Sequence, residues 1–153
     1  MRDVARDVGV DAALVSRYFG SKEDLFTAVL DSCSTGSELM DGPRAQFGRR
    51  AAHAVIFEPR NEGKLNSLLI MLRSVGSAKA MELVQKTGAE RFFDPFVAWL
   101  GGEDAVLRAR LASAAIMGMA VSREITGGFD LTPEECERME DRLAAILQDI
   151  VEG

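Results

Sequence analysis

Three side chains near the front of the chain carry the chemistry of polyanion recognition. Arg17, Tyr18 and Lys22 fall within six residues of one another. A guanidinium can give two parallel hydrogen bonds to a guanine edge or to a phosphate, and a phenol can donate to a phosphate. An ammonium at the start of a helix adds to amide donors that already favour phosphate. Just ahead stand Ala12, Ala13 and Ser16, small enough to let a helix approach base edges closely. Ala12, Ala13, Ser16, Arg17, Tyr18 and Lys22 are therefore the candidate DNA contacts.

Other reactive types are sparse. His53 is the single histidine, and Cys33 and Cys136 are far apart. One histidine and two distant cysteines make no metal-binding cluster. No phosphate loop or carboxylate motif appears, and His53 has no sequence partner that would make it the base of a nucleophile. Neither an enzyme nor a cofactor is expected. The apolar set is richer. Phe47, Phe57, Met71, Phe92, Phe96, Trp99 and Met117 combine flat rings with adaptable thioethers, which suits a small apolar ligand held between helices. His53 would be the polar group of that pocket. Taken singly, each of these residues suits ordinary core packing, and His53 suits a satisfied surface site equally well.

The elements that must position these groups read as helices throughout. Strand-like alternation is nearly absent, and an apolar period of 3.6 fits most of the chain, so the expected fold is all-α. A first helix spans Arg2 to Val8, with Val4, Ala5 and Val8 on one face. Gly9 ends it. Asp11 is placed to cap a second helix through Phe19, in which Leu14, Val15 and Phe19 pack inward. After Gly20, the Ser21 and Asp24 pair resembles a capping box opening a third helix, with apolar Leu25, Phe26, Val29 and Leu30. Helix, glycine turn and short second helix make the helix-turn-helix plan, whose second helix can enter the major groove.

The polar run STGSELMDGPR marks a joint. It divides the chain into a DNA-binding head, residues 1–35, and a helical body, residues 36–153. In the body, Pro43 suits the first turn of a helix to about Phe57. Asn61 suits the cap of a helix from Glu62 to Val75. Asp94-Pro95 should kink or split the stretch that ends at Leu100. A helix follows from Glu103 to Ile125. Thr132, Pro133 and Glu135 then open a last helix to about Val151.

In that last helix, Cys136, Met139, Leu143, Ile146 and Ile150 repeat at alternating spacings of three and four, a coiled-coil type of seam. The preceding helix offers Leu111, Ala114, Ala115, Gly118 and Ala120, small enough for close approach. Two such helices from each of two subunits can form a symmetric four-helix interface. Its expected residues are Leu111, Ala115, Gly118, Leu143, Ile146 and Ile150. The alternative for the same seam is an intramolecular core.

Composition sets the outer bounds. The chain has 153 residues, 47% hydrophobic and 27% charged, with a formal net charge of -6. That acidity argues against coating nucleic acid along the whole surface but leaves room for a local contact face. Residues 1–22 hold four cations against three anions, thin for a phosphate-binding surface. The longest apolar run, Leu111 to Val121, is shorter than the ~20 residues of a membrane span and reads as a buried helix. No signal peptide opens the chain. A cytoplasmic protein with reduced thiols and no membrane partner is expected.

The run ARDVGVDAALVSRYFGSKEDLF resembles the DNA-binding helices of TetR-type transcriptional regulators. Gly9-Val10-Asp11, Phe19 and Ser21-Lys22-Glu23 fall at matching places. Asp11 stands in place of the usual Ser or Thr cap, and Ser16 stands where the family often has a phosphate-binding tyrosine. Leu100 to Ile125 is similar to the penultimate helix of a subset of these regulators, with Gly118 and Arg123 matching. The resemblance implies a homodimeric repressor that binds double-stranded operator DNA and is released by a small apolar ligand. The alternative is an all-α dimeric module that binds a small molecule and no DNA. The family plan also places a helix before Arg2, and the chain begins too late to contain it. The expectation is therefore an N-terminally truncated chain that binds DNA weakly, with an in-frame amphipathic helix encoded upstream.

Overall fold

The computed structural model describes residues 1–33, 36–59 and 69–153. Within them every regular element is helical. Three short helices come first: α1 (Arg2–Asp7), α2 (Ala12–Phe19) and α3 (Lys22–Cys33). Two 3-10 segments, Gly36–Met40 and Arg44–Gln46, lead into α4 (Phe47–Ile56). Helical residues 69–74 form α5. Then come α6 (Ala78–Gly88), a π-helical turn (Ala89–Phe93), α7 (Asp94–Leu100), α8 (Ala105–Ile125) and α9 (Pro133–Glu152). The expected cap at Asn61 and the front of its helix lie outside the described residues.

Local chemistry accounts for several of these boundaries. The Asp11 carboxylate accepts from the Ala13 amide at 2.7 Å and caps α2. Ser21 and Asp24 close a reciprocal box at α3, amide to carboxylate at 3.0 Å and amide to hydroxyl at 3.0 Å. Thr132 and Glu135 do the same for α9, with Pro133 in its first turn. Pro43 behaves differently from its expected role. It caps the 3-10 segment Arg44–Gln46, and the α-helix itself starts at Phe47. At Asp94-Pro95 the backbone stays helical, with Phe93 and Asp94 both in the right-handed helical region, and the element type changes there from π to α. The π turn immediately before it widens the helix, which accommodates a ring that clashes with the preceding turn and lacks an N–H to return.

The core lies between α4 and α9, the most extensively packed pair of elements, with α7 and α8 closing it. Helical spacing puts Phe47, Ala51, Ala52 and Ile56 on one face of α4, and Leu143, Ala144, Leu147 and Val151 on one face of α9. Phe47, Phe96, Leu100, Leu147 and Val151 are almost completely sealed. Each such side chain contributes about 1.5–3 kcal/mol of transfer free energy.

Two arginines close the end of this core. Arg44 donates to the carbonyls of Leu100 and Val151, both at 2.6 Å. Buried Arg108 donates to Val151 at 2.8 Å, to Glu103 at 3.2 Å and also to Gly101. Both guanidiniums thus sit at the C-terminal ends of α7 and α9, where free carbonyls and the negative end of the helix dipole favour a cation.

Candidate nucleic-acid interface

The geometry of the head begins with Ala5, 2% exposed, where α1 meets its neighbours. Gly9 then turns the chain at φ 70°, and the Val10 amide bonds back to the Ala5 carbonyl at 2.9 Å. Val4 and Val8 do not join Ala5 inside. They are 43% and 64% exposed, Val4 on the outer side of α1 and Val8 at its C-terminal cap.

On α2 the inner stripe is Ala12, Val15 and Phe19. Val15 is buried and the other two are half-buried. Ala13, Ser16, Arg17 and Tyr18 face outward as expected, with Tyr18 81% exposed. Two positions differ from expectation. Ala12 lies at the packing edge rather than fully outward. Leu14, expected to pack inward, is 57% exposed. The reason is angular. Leu14 precedes Val15 by one residue, about 100° around the helix, and shares its side with Arg17 and Tyr18 at three and four residues' distance. The resulting outer face carries an isobutyl group, a guanidinium and a phenol together. Leu14 is the site candidate that a reading by hydrophobic pattern alone assigns to the core.

Charge on this face is local. Arg6 is engaged by Asp3 at 3.1 Å and Asp7 at 3.8 Å, so α1 offers little net field. Arg17 and Lys22 carry no ion pair among the described residues and face solvent. The Ser21 hydroxyl and then its amide hold the Asp24 carboxyl below its ordinary value, which keeps the α3 capping box charged. Beside Lys22, Glu23 reaches across to Lys79 of α6 at 2.7 Å. Hydrogen bonding to Lys79 is the first cause that lowers the Glu23 carboxyl, and the same bond raises Lys79.

The residues expected to hold a ligand fall into separate groups. Phe47, Phe92, Phe96 and Trp99 form one continuous ring cluster, with centroids 5.4–6.0 Å apart. Phe47 and Phe96 are 1% and 0% exposed. His53 of α4 and Phe57, the residue that caps it, lie in tilted contact elsewhere, with ring centroids 5.4 Å apart. The His53 Nδ1 lies 2.9 Å from Glu140, whose other oxygen accepts from Arg49 at 3.0 Å. His53 therefore has a carboxylate partner on α9. Met71 is half-buried on α5, and Met117 is 45% exposed on α8. Two surface grooves are lined by other side chains. One, between α8 and α9, is formed by Met119, Met139, Leu143 and Ile146 with Arg138 and Arg142. The other, beside the start of α8, includes Val97, Leu107 and Arg110. Among the described residues no group of His, Cys, Asp and Glu could hold a metal ion.

The expected dimer residues divide by depth. Leu111 and Ile146 are 50% and 54% exposed. Ala115 and Ile150 are half-buried, and Gly118 is exposed, with open space where a Cβ would stand. Leu143 is 7% exposed and belongs to the core shared with α4. The run Leu111–Val121 is not wholly buried, as its composition had suggested. It lies in a 21-residue helix long and apolar enough to cross a membrane by length and composition, and only 22% of that helix's most apolar window is buried within the chain. Met119 of α8 shares a groove with the exposed Ile146 of α9.

Two family profiles match the chain. That of the tetracyclin repressor-like C-terminal domain covers residues 45–151, and that of the tetR family of bacterial regulatory proteins covers residues 1–29. No curated protein matches it significantly. With one profile spanning most of the body and the other the helix-turn-helix, the chain belongs to the TetR family of bacterial transcriptional regulators.

Proposed function

We infer that the protein is a homodimeric repressor of the bacterial cytoplasm, reading operator DNA with α2 and released by a small apolar ligand. The observation that carries this reading is the outer face of α2, where Leu14, Arg17 and Tyr18 stand together, with Lys22 beside them at the start of α3. Ala13 and Ser16 are small enough to allow close approach to base edges, with Ala12 at the packing edge. Arg17 suits a guanine edge or a phosphate, Tyr18 and Lys22 suit phosphates, and Leu14 suits a thymine methyl group. Residues 1–35 serve as the head and residues 36–153 as the ligand-binding and dimerising body.

Dimerisation runs through α8 and α9, with Leu111, Ala115, Gly118, Ile146 and Ile150 at the contact and Leu143 supporting it from within. The open apolar surface of α8 supports this arrangement. The ligand contacts come from the aromatic cluster of Phe47, Phe92, Phe96 and Trp99, and from His53, Phe57, Met71 and Met117, which stand in separate groups in this structure. Release follows from a population shift. The ligand binds better to a form whose two heads are wrongly spaced for successive major grooves.

The test is selection of duplexes from a randomised pool, followed by anisotropy titration of the selected duplex across a salt series. Affinity that falls steeply with salt and is specific to the selected sequence supports the reading. A pool that yields no salt-dependent binder overturns it and leaves a dimeric small-molecule-binding module. Linkage tests the release mechanism separately. A ligand whose affinity is unchanged by saturating operator DNA is not coupled to it.

A further inference from the structure

Helix α3, the last helix of the head, packs against α6, with Leu30 and Val84 among the buried residues of the two helices. Two ion pairs flank that contact. Glu23, in the first turn of α3, meets Lys79 near the start of α6 at 2.7 Å. Asp31, in the last turns of α3, meets Arg91 of the π turn at 2.9 Å. The four side chains are between 34% and 71% exposed, so water and salt have access to both pairs. Neither makes a strong contribution to stability. Both span the boundary between head and body, 56 and 60 residues apart in sequence, and each holds a different end of the same helix.

The π turn decides where Arg91 points. A π turn carries more residues per turn than an α-helix, and one residue of register corresponds to about 100° of rotation. Converting Ala89–Phe93 to α geometry would swing Arg91 away from Asp31. The same turn holds Phe92, stacked on Phe96 at 5.5 Å, and Phe93, whose ring lies 3.8 Å from the Arg110 guanidinium. One five-residue turn therefore joins the aromatic core on one side to the helix carrying the head on the other.

We propose that Glu23–Lys79 and Asp31–Arg91 are a two-point latch that positions the reading head, and that the π turn connects this latch to the aromatic core. Lys79 and Arg91 are then positioning residues for DNA recognition, acting through α3 without touching DNA. The proposal rests on the reading of α2 as the DNA-contacting helix. It also explains how weak pairs can matter, since they bias the head between orientations that differ little in energy.

The experiment measures head position without DNA. In a chain carrying Cys33→Ser and Cys136→Ser, spin labels at Val8→Cys, just after α1, and Ala145→Cys on α9 report the head-to-body distance. Labelled chains are diluted into unlabelled ones so that only intramolecular distances are read. Arg91→Asp and Lys79→Glu are expected to broaden or shift the distance distribution. The exchanged pairs, Asp31→Arg with Arg91→Asp and Glu23→Lys with Lys79→Glu, should restore it. Lys86→Glu, an exposed charge change on the same helix, should leave it unchanged. Salt near 1 M, where the screening length is about 3 Å, should reproduce the single reversals. Affinity for a selected duplex should fall by up to about fivefold per broken pair and return in the exchanged pairs. Distance distributions that are identical in both reversals and insensitive to salt would overturn the latch. Intact distances with no duplex bound by any variant would overturn the DNA-reading assignment instead.

Discussion

Gly48 of α4 and Ala144 of α9 meet backbone to backbone. A methyl group on Gly48 would collide with the Ala144 carbonyl oxygen and stand 2.8 Å from the Gln148 amide nitrogen. The Gly48 amide instead donates to the Gln148 side-chain oxygen at 2.9 Å, and that same side chain donates to the Arg44 carbonyl at 3.1 Å. Gly48→Ala therefore opposes two effects. Alanine improves helix propensity by about 1 kcal/mol, but forcing apart two packed backbones costs about 1–3 kcal/mol or more. Net destabilisation is expected, read as a lower denaturation midpoint by circular dichroism. A variant as stable as the wild type would show that the two helices are not this close.

The two guanidiniums at the end of the core predict unequal losses. Arg108 is 8% exposed and satisfies carbonyls at the ends of α7 and α9, whereas Arg44 is exposed and reaches the same region from outside. Arg108→Met keeps much of the stem but removes three hydrogen bonds made by a buried guanidinium, at a cost of roughly 2–3 kcal/mol. Arg44→Met removes the two bonds of an exposed cation, one of them to the Val151 carbonyl that keeps Arg108 as a donor, and should cost under about 1.5 kcal/mol. Equal effects in paired thermal melts would contradict the different depths of the two groups.

What could be read in advance follows the range of the forces involved. The caps at Asp11, Ser21 with Asp24, and Thr132 with Glu135 depend on residues two or three apart, so composition and spacing reveal them. The helix-turn-helix was legible for the same reason, its signals lying within one short run. Leu14 was not. Its type argues for burial, but its angle on α2 relative to Val15 decides otherwise. The π turn, the Gly48 contact and the Glu140 partner of His53 depend on segments brought together only by folding. The seam of α9 shows both limits at once. Its period is visible, yet Leu143 turns to α4 while Ile146 faces out, a division set by where α4 lies.

The capping box of α9 predicts a pH dependence with a definite sign. The Thr132 amide and then its hydroxyl hold the Glu135 carboxyl below its ordinary value of 4.5. The folded chain thus binds this proton less readily than the unfolded chain. The stabilisation is fully present above 4.5 and is lost as pH falls through the lower folded value. The melting-temperature difference between wild type and Glu135→Gln should therefore be largest near neutral pH and shrink on acidification. A difference that stays constant well below 4.5 would show that the carboxylate does not cap this helix.

Depth separates assembly from folding on α8 and α9. Leu111→Asp and Ile146→Asp alter exposed apolar positions, so each chain should keep its helical content while light scattering reports monomers. Leu143→Ala should instead cost about 2–5 kcal/mol of folding stability, since its side chain fills the core shared with α4. Aspartate variants that remain dimeric would place the subunit contact elsewhere.

The outer face of α2 predicts a separation between affinity and sequence preference. Lys22 sits where a helix start favours phosphate, so Lys22→Ala should weaken binding to all duplexes alike and lower the salt slope by about one. Arg17→Ala should cost about 1–3 kcal/mol and relax preference at one guanine if the guanidinium reads a base edge. Leu14→Ala removes a 57% exposed isobutyl group that contributes little to the core. It should leave the melting temperature and the salt slope unchanged while reducing discrimination at a thymine, where an apolar contact to the methyl group is lost. Selections repeated with each variant compare the preferred sequences directly. A Leu14→Ala protein that selects the wild-type sequence with undiminished preference would remove Leu14 from the reading face. A loss of stability in that variant would return it to the packing role that its residue type suggested.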